Sequence, residues 1–148
     1  MGSNRLIELH DSEIASIEFD GGTITITFSH AYLHQSDGVP GVDRGTGWSQ
    51  RGELRISTSS RPNLPRPLPY QIDNGVLTLG GAEHCNEIPV PLSYEGAVAL
   101  NLFVGDAEYR YSEISFTGSG VELVMVGQPR YVEDFPGARR DSTDQEGT

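Results

Sequence analysis

Lysine is absent: all ten cations among the 148 residues are arginine. A P-loop lysine, a Schiff-base lysine and a lysine general base are thereby excluded, since each depends on an amine or ammonium group. Cysteine occurs once, at Cys85, so no intramolecular disulfide can form and a reducing, cytoplasmic setting is the expectation. His84 precedes it, but neighbours in extended chain face opposite ways, which favours an ordinary thiol over a Cys-His nucleophile pair. No run approaches the ~18 apolar residues of a membrane-spanning helix, and the N-terminal residues lack the charged-then-apolar layout of a signal peptide. A soluble protein without a membrane partner is expected. Basic clusters are also missing: against 21 acidic residues the arginines lie singly, apart from Arg139-Arg140, and the formal charge is −11. Such a balance repels phosphate backbones, which argues against nucleic acid and for a basic protein partner.

Helical periodicity is almost absent too. The rhythm present is period two, the side-chain alternation of strands, in "IASIEFD" (14–20), "TITITFS" (23–29), "ELRIS" (53–57), "GVLTLG" (75–80) and "YRYSEISF" (109–116). "AVALNLFV" (97–104) and "VELVMV" (121–126) are apolar at nearly every position, as expected of strands covered on both faces. Short strands between Gly and Pro turns must bury one sheet face against another. The expected fold is all-β with seven to eight strands, an antiparallel two-sheet sandwich of jelly-roll type or a flattened barrel.

Gly21-Gly22 predicts a hairpin pairing Phe19 with Ile24, Ile17 with Ile26 and Ala15 with Phe28, all apolar. A second hairpin is expected at "TGSG" (117–120), setting Phe116 against Val121. Two connections interrupt the rhythm. Residues 35–52 hold five glycines and Trp48, read as a surface excursion in which Trp48 is a ligand platform or, the favoured reading, a lid over the core. Residues 61–69 hold four prolines and suit extended geometry. Residues 1–133 are expected to form a single β domain, and 134–148, with little apolar content, a disordered tail.

His10, Asp11 and Ser12 supply the residue types of a hydrolase triad, but three consecutive residues diverge, whereas a triad converges from separate segments. The G-x-S-x-G elbow is missing as well, so no catalytic residue is assigned. His30 and His34 lie about 13 Å apart if the segment is a strand, too far to share one metal ion. Neither a metal site nor a cofactor is expected. Continuing the first hairpin's register sets Glu13 opposite His30, Asp11 opposite Tyr32 and Leu9 opposite His34 on the core-facing side. These polar groups either face water at a frayed rim or form a semi-buried network in which Asp11 or Glu13 accepts hydrogen bonds from His30 and Tyr32. The candidate binding residues are therefore Asp11, Glu13, His30, Tyr32 and Trp48.

The segment "LHDSEI", followed by "IEFDGGTITITF", resembles the opening of small bacterial families that begin with an L/F-H-D-S/A motif leading into a hairpin, some of them similar to immunity proteins of contact-dependent toxins. The resemblance implies a non-enzymatic binding role and brings no catalytic residues with it. Two functions follow as expectations: an acidic immunity or adaptor-type protein with a basic protein partner, or a small-molecule-binding or catalytic β-barrel with a His, Tyr and carboxylate-lined site.

Overall fold

The computed structural model describes residues 4–137 and is all-β. Eight strands follow in order: β1 (Asn4–Phe19), β2 (Thr23–Ser36), β3 (Gly45–Ser57), β4 (Tyr70–Leu79), β5 (Ala82–Cys85), β6 (Glu87–Val90), β7 (Ser93–Gly105) and β8 (Tyr111–Phe135). They form one antiparallel sheet in the order β5-β4-β7-β8-β3-β2-β1-β6. A short pairing of β1 with β4, Glu13 with Gln71 and Ile14 with Tyr70, brings the sheet back on itself as a flattened barrel. Closure of this kind leaves fewer unpaired edges. Among the described residues no helix is long and apolar enough to cross a membrane.

The first hairpin forms at Gly21-Gly22. Gly21 supplies a φ of 96°, and the Asp20 carboxylate accepts from the backbone N–H groups of Gly22 and Thr23 at 3.0 and 2.8 Å. Phe19 pairs with Ile24 and Ile17 with Ile26, as the pattern requires. The third pairing is corrected: Ile14, not Ala15, lies opposite Phe28, because Ala15 is an extra residue in β1. This bulge buries the larger Ile14 completely and turns Ala15 to solvent, a gain in apolar area removed from water.

The expected hairpin at 117–120 does not form. β8 runs unbroken through these residues, its first half paired with β7 and its second half with β3, while Gly120, Val121 and Glu122 pair with both. The glycines serve close approach instead of a turn: a Cβ at Gly118 would lie 2.3 Å from the Ser57 carbonyl oxygen. The excursion expected at 35–52 is also shorter, since β3 begins at Gly45. β8 extends through Asp134 and Phe135, paired with Thr46 and Gly45, so these two residues of the expected tail belong to the sheet. The part of that tail from 138 onward lies outside the described residues. Residues 61–69 form no strand.

The two strands expected to be covered on both faces alternate instead. Val98, Leu100, Leu102 and Val104 point inward, whereas Ala99, Asn101 and Phe103 take the outer face; in β8, Val121 is buried and Val126 exposed. The inner face of the sheet meets itself across the barrel. Ile7, Leu9, Ile14, Ile26, Phe28 and Tyr70 fill it alongside the inward residues of β3, β4, β7 and β8.

Gly118→Ala should lower unfolding free energy by about 1–3 kcal/mol through overpacking against backbone. Gly22→Ala, where a Cβ meets nothing within 4 Å, should stay within about 0.5 kcal/mol of wild type. Urea denaturation of both variants decides whether Gly118 is a contact glycine or merely a flexible one.

Candidate functional site

Register breaks occur in adjacent strands at the same level and together form a seam across the sheet. Between Glu8 and Glu13, β1 spends four residues where β2 spends only Ala31; β2 carries Ser29 and His30 opposite Arg51 of β3; β8 carries residues 127–129 opposite Gln50. Residues leaving the ladder here aim side chains that regular pleating would place elsewhere.

The "HDS" motif is the β1 part of this seam. Leu9 is fully buried, and its backbone N–H donates to the Asn86 carbonyl at 3.0 Å; the N–H of His10 donates to Asn86 Oδ1 at 2.8 Å. Asp11 takes the left-handed conformation with φ 82°, one that Asp tolerates better than most residues, and is exposed. Ser12 is fully buried. Its hydroxyl donates to the Glu8 carbonyl at 2.7 Å and accepts from the Tyr32 N–H at 3.1 Å, bridging the gap that the bulge opens. Ser12 thus turns into the sheet, away from His10 and Asp11, whose side chains lie 3.6 Å apart at the surface, and no triad forms.

The structure rearranges the expected polar cluster. Glu13 does lie opposite His30, but its carboxylate accepts from the Ser29 hydroxyl at 2.8 Å, while His30 Nδ1 meets Ser49 Oγ at 2.5 Å. Tyr32 lies opposite Glu8, not Asp11, and its hydroxyl donates to Glu133 of β8 at 2.5 Å. Burial raises the Tyr32 pKa, and the Glu133 carboxylate raises it further by favouring the neutral phenol. His34 lies opposite Leu6, not Leu9; only 5% exposed, it binds Glu8 Oε1 through Nε2 at 2.6 Å and packs edge-on against Tyr32 and Phe135. Its Nδ1 has no partner. The carboxylate–histidine pair of this region is therefore Glu8 with His34, which the extended register missed. Trp48 is half-buried against the core, donates to Thr46 Oγ1 at 2.8 Å and meets Tyr131 edge-on, in keeping with a lid. Among the described residues no group of three or more metal-ligating side chains comes together. Cys85 is exposed, and it pairs with Val76 while His84 pairs with Leu77.

Each end of the seam opens a hollow. At the β1 end, His10, Asp11, Asp73, Asp106, Tyr109 and Tyr111 line one of about 260 Å³. The Asp73 carbonyl oxygen lies 2.7 Å from His10 Nδ1 and raises that ring's pKa, partly offset by burial and reinforced by the neighbouring carboxylates, Asp11 first. Tyr109, 82% exposed, is held at φ 61° by a turn built on Asp106. Oδ1 of Asp106 accepts the backbone N–H groups of Glu108 and Arg110 at 2.9 and 3.0 Å, and Oδ2 accepts Arg110 Nε at 2.9 Å. The Arg110 N–H leads in holding the Asp106 carboxyl below the usual range; the Glu108 N–H and the Arg110 guanidinium add to it, against a smaller effect of burial. Beside the turn, Tyr111 stacks on Phe103 with ring centroids 5.6 Å apart, on the outer face where Glu113 pairs with Phe103. At the other end, a cleft of about 370 Å³ is lined by Ser29, His30, Ser49, Gln50, Arg51 and Arg130, among others. The sequence marks His10, Asp11 and His30 among these residues; no local signal marks the others, because the ladders and bulges that bring them together join distant segments.

Glu8→Ala should cost about 1–3 kcal/mol by leaving the buried His34 Nε2 unpaired, and Tyr32→Phe less, about 0.5–1.5 kcal/mol, since Glu133 is exposed and water takes the place of the lost donor. Asp11→Asn should stay within about 0.5 kcal/mol, since Asn also tolerates the left-handed region. Equal effects at all three positions would contradict this division of roles. A separate check concerns acid: because the Asp106 pKa is depressed in the folded state, its stabilisation is present above the ordinary carboxylate range and lost as pH falls through the lowered value. The melting temperature of Asp106→Ala should therefore trail wild type at neutral pH and converge with it at strongly acid pH.

No family model, curated protein or solved structure matches the chain, and the reading of its site rests on its own residues.

Proposed function

We propose that this is a non-enzymatic binding protein of immunity or adaptor type, acting in a reducing cytoplasm on a basic protein partner. The observation that carries this reading is the display of Tyr109. A tyrosine 82% exposed in a left-handed backbone conformation is unfavourable on its own, by about 1–3 kcal/mol, and here the buried Asp106 carboxylate holds the turn that presents it. Strained, rigidly held aromatics in solvent suit recognition better than packing.

Three further features support the same reading. Tyr111, 51% exposed, and Phe103 continue the apolar surface beside Tyr109. Asp11 and Asp73 in the hollow and Glu113 beside Phe103 border it with negative charge, suited to arginine or lysine side chains laid over the tyrosine rings. The barrel axis is filled by apolar side chains, which gives a small molecule little room inside and favours recognition on the outer surface. With a formal charge of −11, association with a basic partner is electrostatically steered.

The test is affinity isolation from the source cell with wild type and with a Tyr109→Ala/Tyr111→Ala variant, followed by kinetics on the partner so identified. A basic partner that the variant loses at least tenfold, and whose association slows as ionic strength rises, is expected. A partner retained equally by the variant, or one whose association rate ignores salt, would overturn the proposal.

A further inference from the structure

The cleft at the β3–β8 end of the seam differs in chemistry from everything around it. In a chain with 21 acidic residues, none of its lining residues is acidic, and two of the ten arginines, Arg51 and Arg130, face it. Neither arginine forms an ion pair among the described residues. The carboxylates nearest in register are already engaged: Glu13 accepts from Ser29 at the cleft edge, while Glu53 pairs with Arg55 and Glu133 accepts from Tyr32 away from it. Both are exposed, and two guanidinium groups without counter-ions lining one cleft offer an anion two charged donors.

His30 and Ser49 add to the donor excess whichever way their proton lies. If the Ser49 hydroxyl donates to Nδ1, the neutral ring carries its proton on Nε2; if Nδ1–H donates to Ser49 Oγ, the hydroxyl proton is free. In either form the pair retains one spare donor. Gln50, inside the wall and 8% exposed, spends its amide N–H on the Gly127 carbonyl at 2.8 Å, which fixes the β8 bulge that sets Arg130 beside Ser49. Its Oε1 is left buried without a donor, and a bound monoester meets that acceptor only through a P–OH hydrogen.

The geometry points to an oxyanion site here, one that takes the phosphate group of a small phosphate monoester. A tetrahedral oxyanion accepts from Arg51, Arg130 and the His30–Ser49 pair at once, and guanidinium groups match phosphate oxygens two at a time. The volume of about 370 Å³ falls in the range of small-molecule pockets and exceeds the needs of a bare ion, leaving room for an organic substituent against Val126. This site is independent of the Tyr109 surface and stands or falls without it.

The test follows the His30 ring resonances by NMR during titration with inorganic phosphate, O-phosphoserine and acetate at constant ionic strength. Saturable shifts with both phosphates, the ester binding more tightly, are the expected result; tighter binding of inorganic phosphate would replace the ester with the free ion. Arg51→Gln/Arg130→Gln should weaken binding at least tenfold with an unchanged circular dichroism spectrum. Arg130→Gln alone should give an intermediate loss, which keeps the test decisive if the double variant fails to fold. Shifts that never saturate, acetate binding as tightly as phosphate, or unchanged affinity in the arginine variants would each overturn the site.

Discussion

The arrangement of this protein depends on keeping two carboxylates out of its core. Strict alternation along β1 from Ile7 and Leu9 would next turn Asp11 and Glu13 inward, and burying unpaired charge costs far more than a break in a ladder. The strand instead slips phase between Leu9 and Ser12, so that Ser12 and Ile14 face inward and Asp11 is exposed at φ 82°. A second slip at Ala15 restores Ile17 and Phe19 to the inner side. Ser12 makes the first slip tolerable. Its hydroxyl serves two backbone groups that the missing ladder bonds would leave unpaired.

The neighbouring strands adjust to that slip. β2 makes its own at Ser29-His30, which leaves Ala31 and Leu33 inward and sends Tyr32 and His34 to the opposite face, where they remain buried. There Glu8, Glu133 and Phe135 receive them, so the end of β8 is held to β2 by the Tyr32–Glu133 hydrogen bond and the His34–Phe135 ring contact as well as by its ladder to β3. Two carboxylates and three rings close this face where a purely apolar pairing would have needed no seam.

Fold class and the first turn were legible in the sequence because both are local: period-two alternation and a Gly-Gly pair flanked by matched apolar residues carry their meaning within a few positions. What escaped depends on distant partners. Gly118 and Gly120 read as a turn because a turn glycine and a contact glycine are the same residue, and only the Ser57 carbonyl, far off in the chain, distinguishes them. Extending the hairpin register correctly placed Glu13 opposite His30 yet mispaired Tyr32 and His34, since a bulge leaves no mark in apolar periodicity beyond a polar residue where the core should continue. Asp11 was that mark. Arg51 and Arg130 read as scattered surface cations, because their common cleft exists only once β3 and β8 are paired with three residues looped out opposite Gln50.

A filled barrel has few places from which to address another molecule, because its inward side chains are committed to packing and its backbone groups to the ladder. Phase slips supply such places. At the β1 end, the bulge brings His10 and Asp11 beside Asp73 and the Asp106 turn, an acidic and aromatic surface. At the β8 end, the looped residues leave guanidinium groups and a His–Ser pair with donors to spare. Opposite charge preferences at two ends of one seam follow from which residues each strand expels, and not from the net charge of the chain. In the proposed binding role, a formal charge of −11 acts on a partner at a distance, whereas the seam residues are what it would meet on arrival.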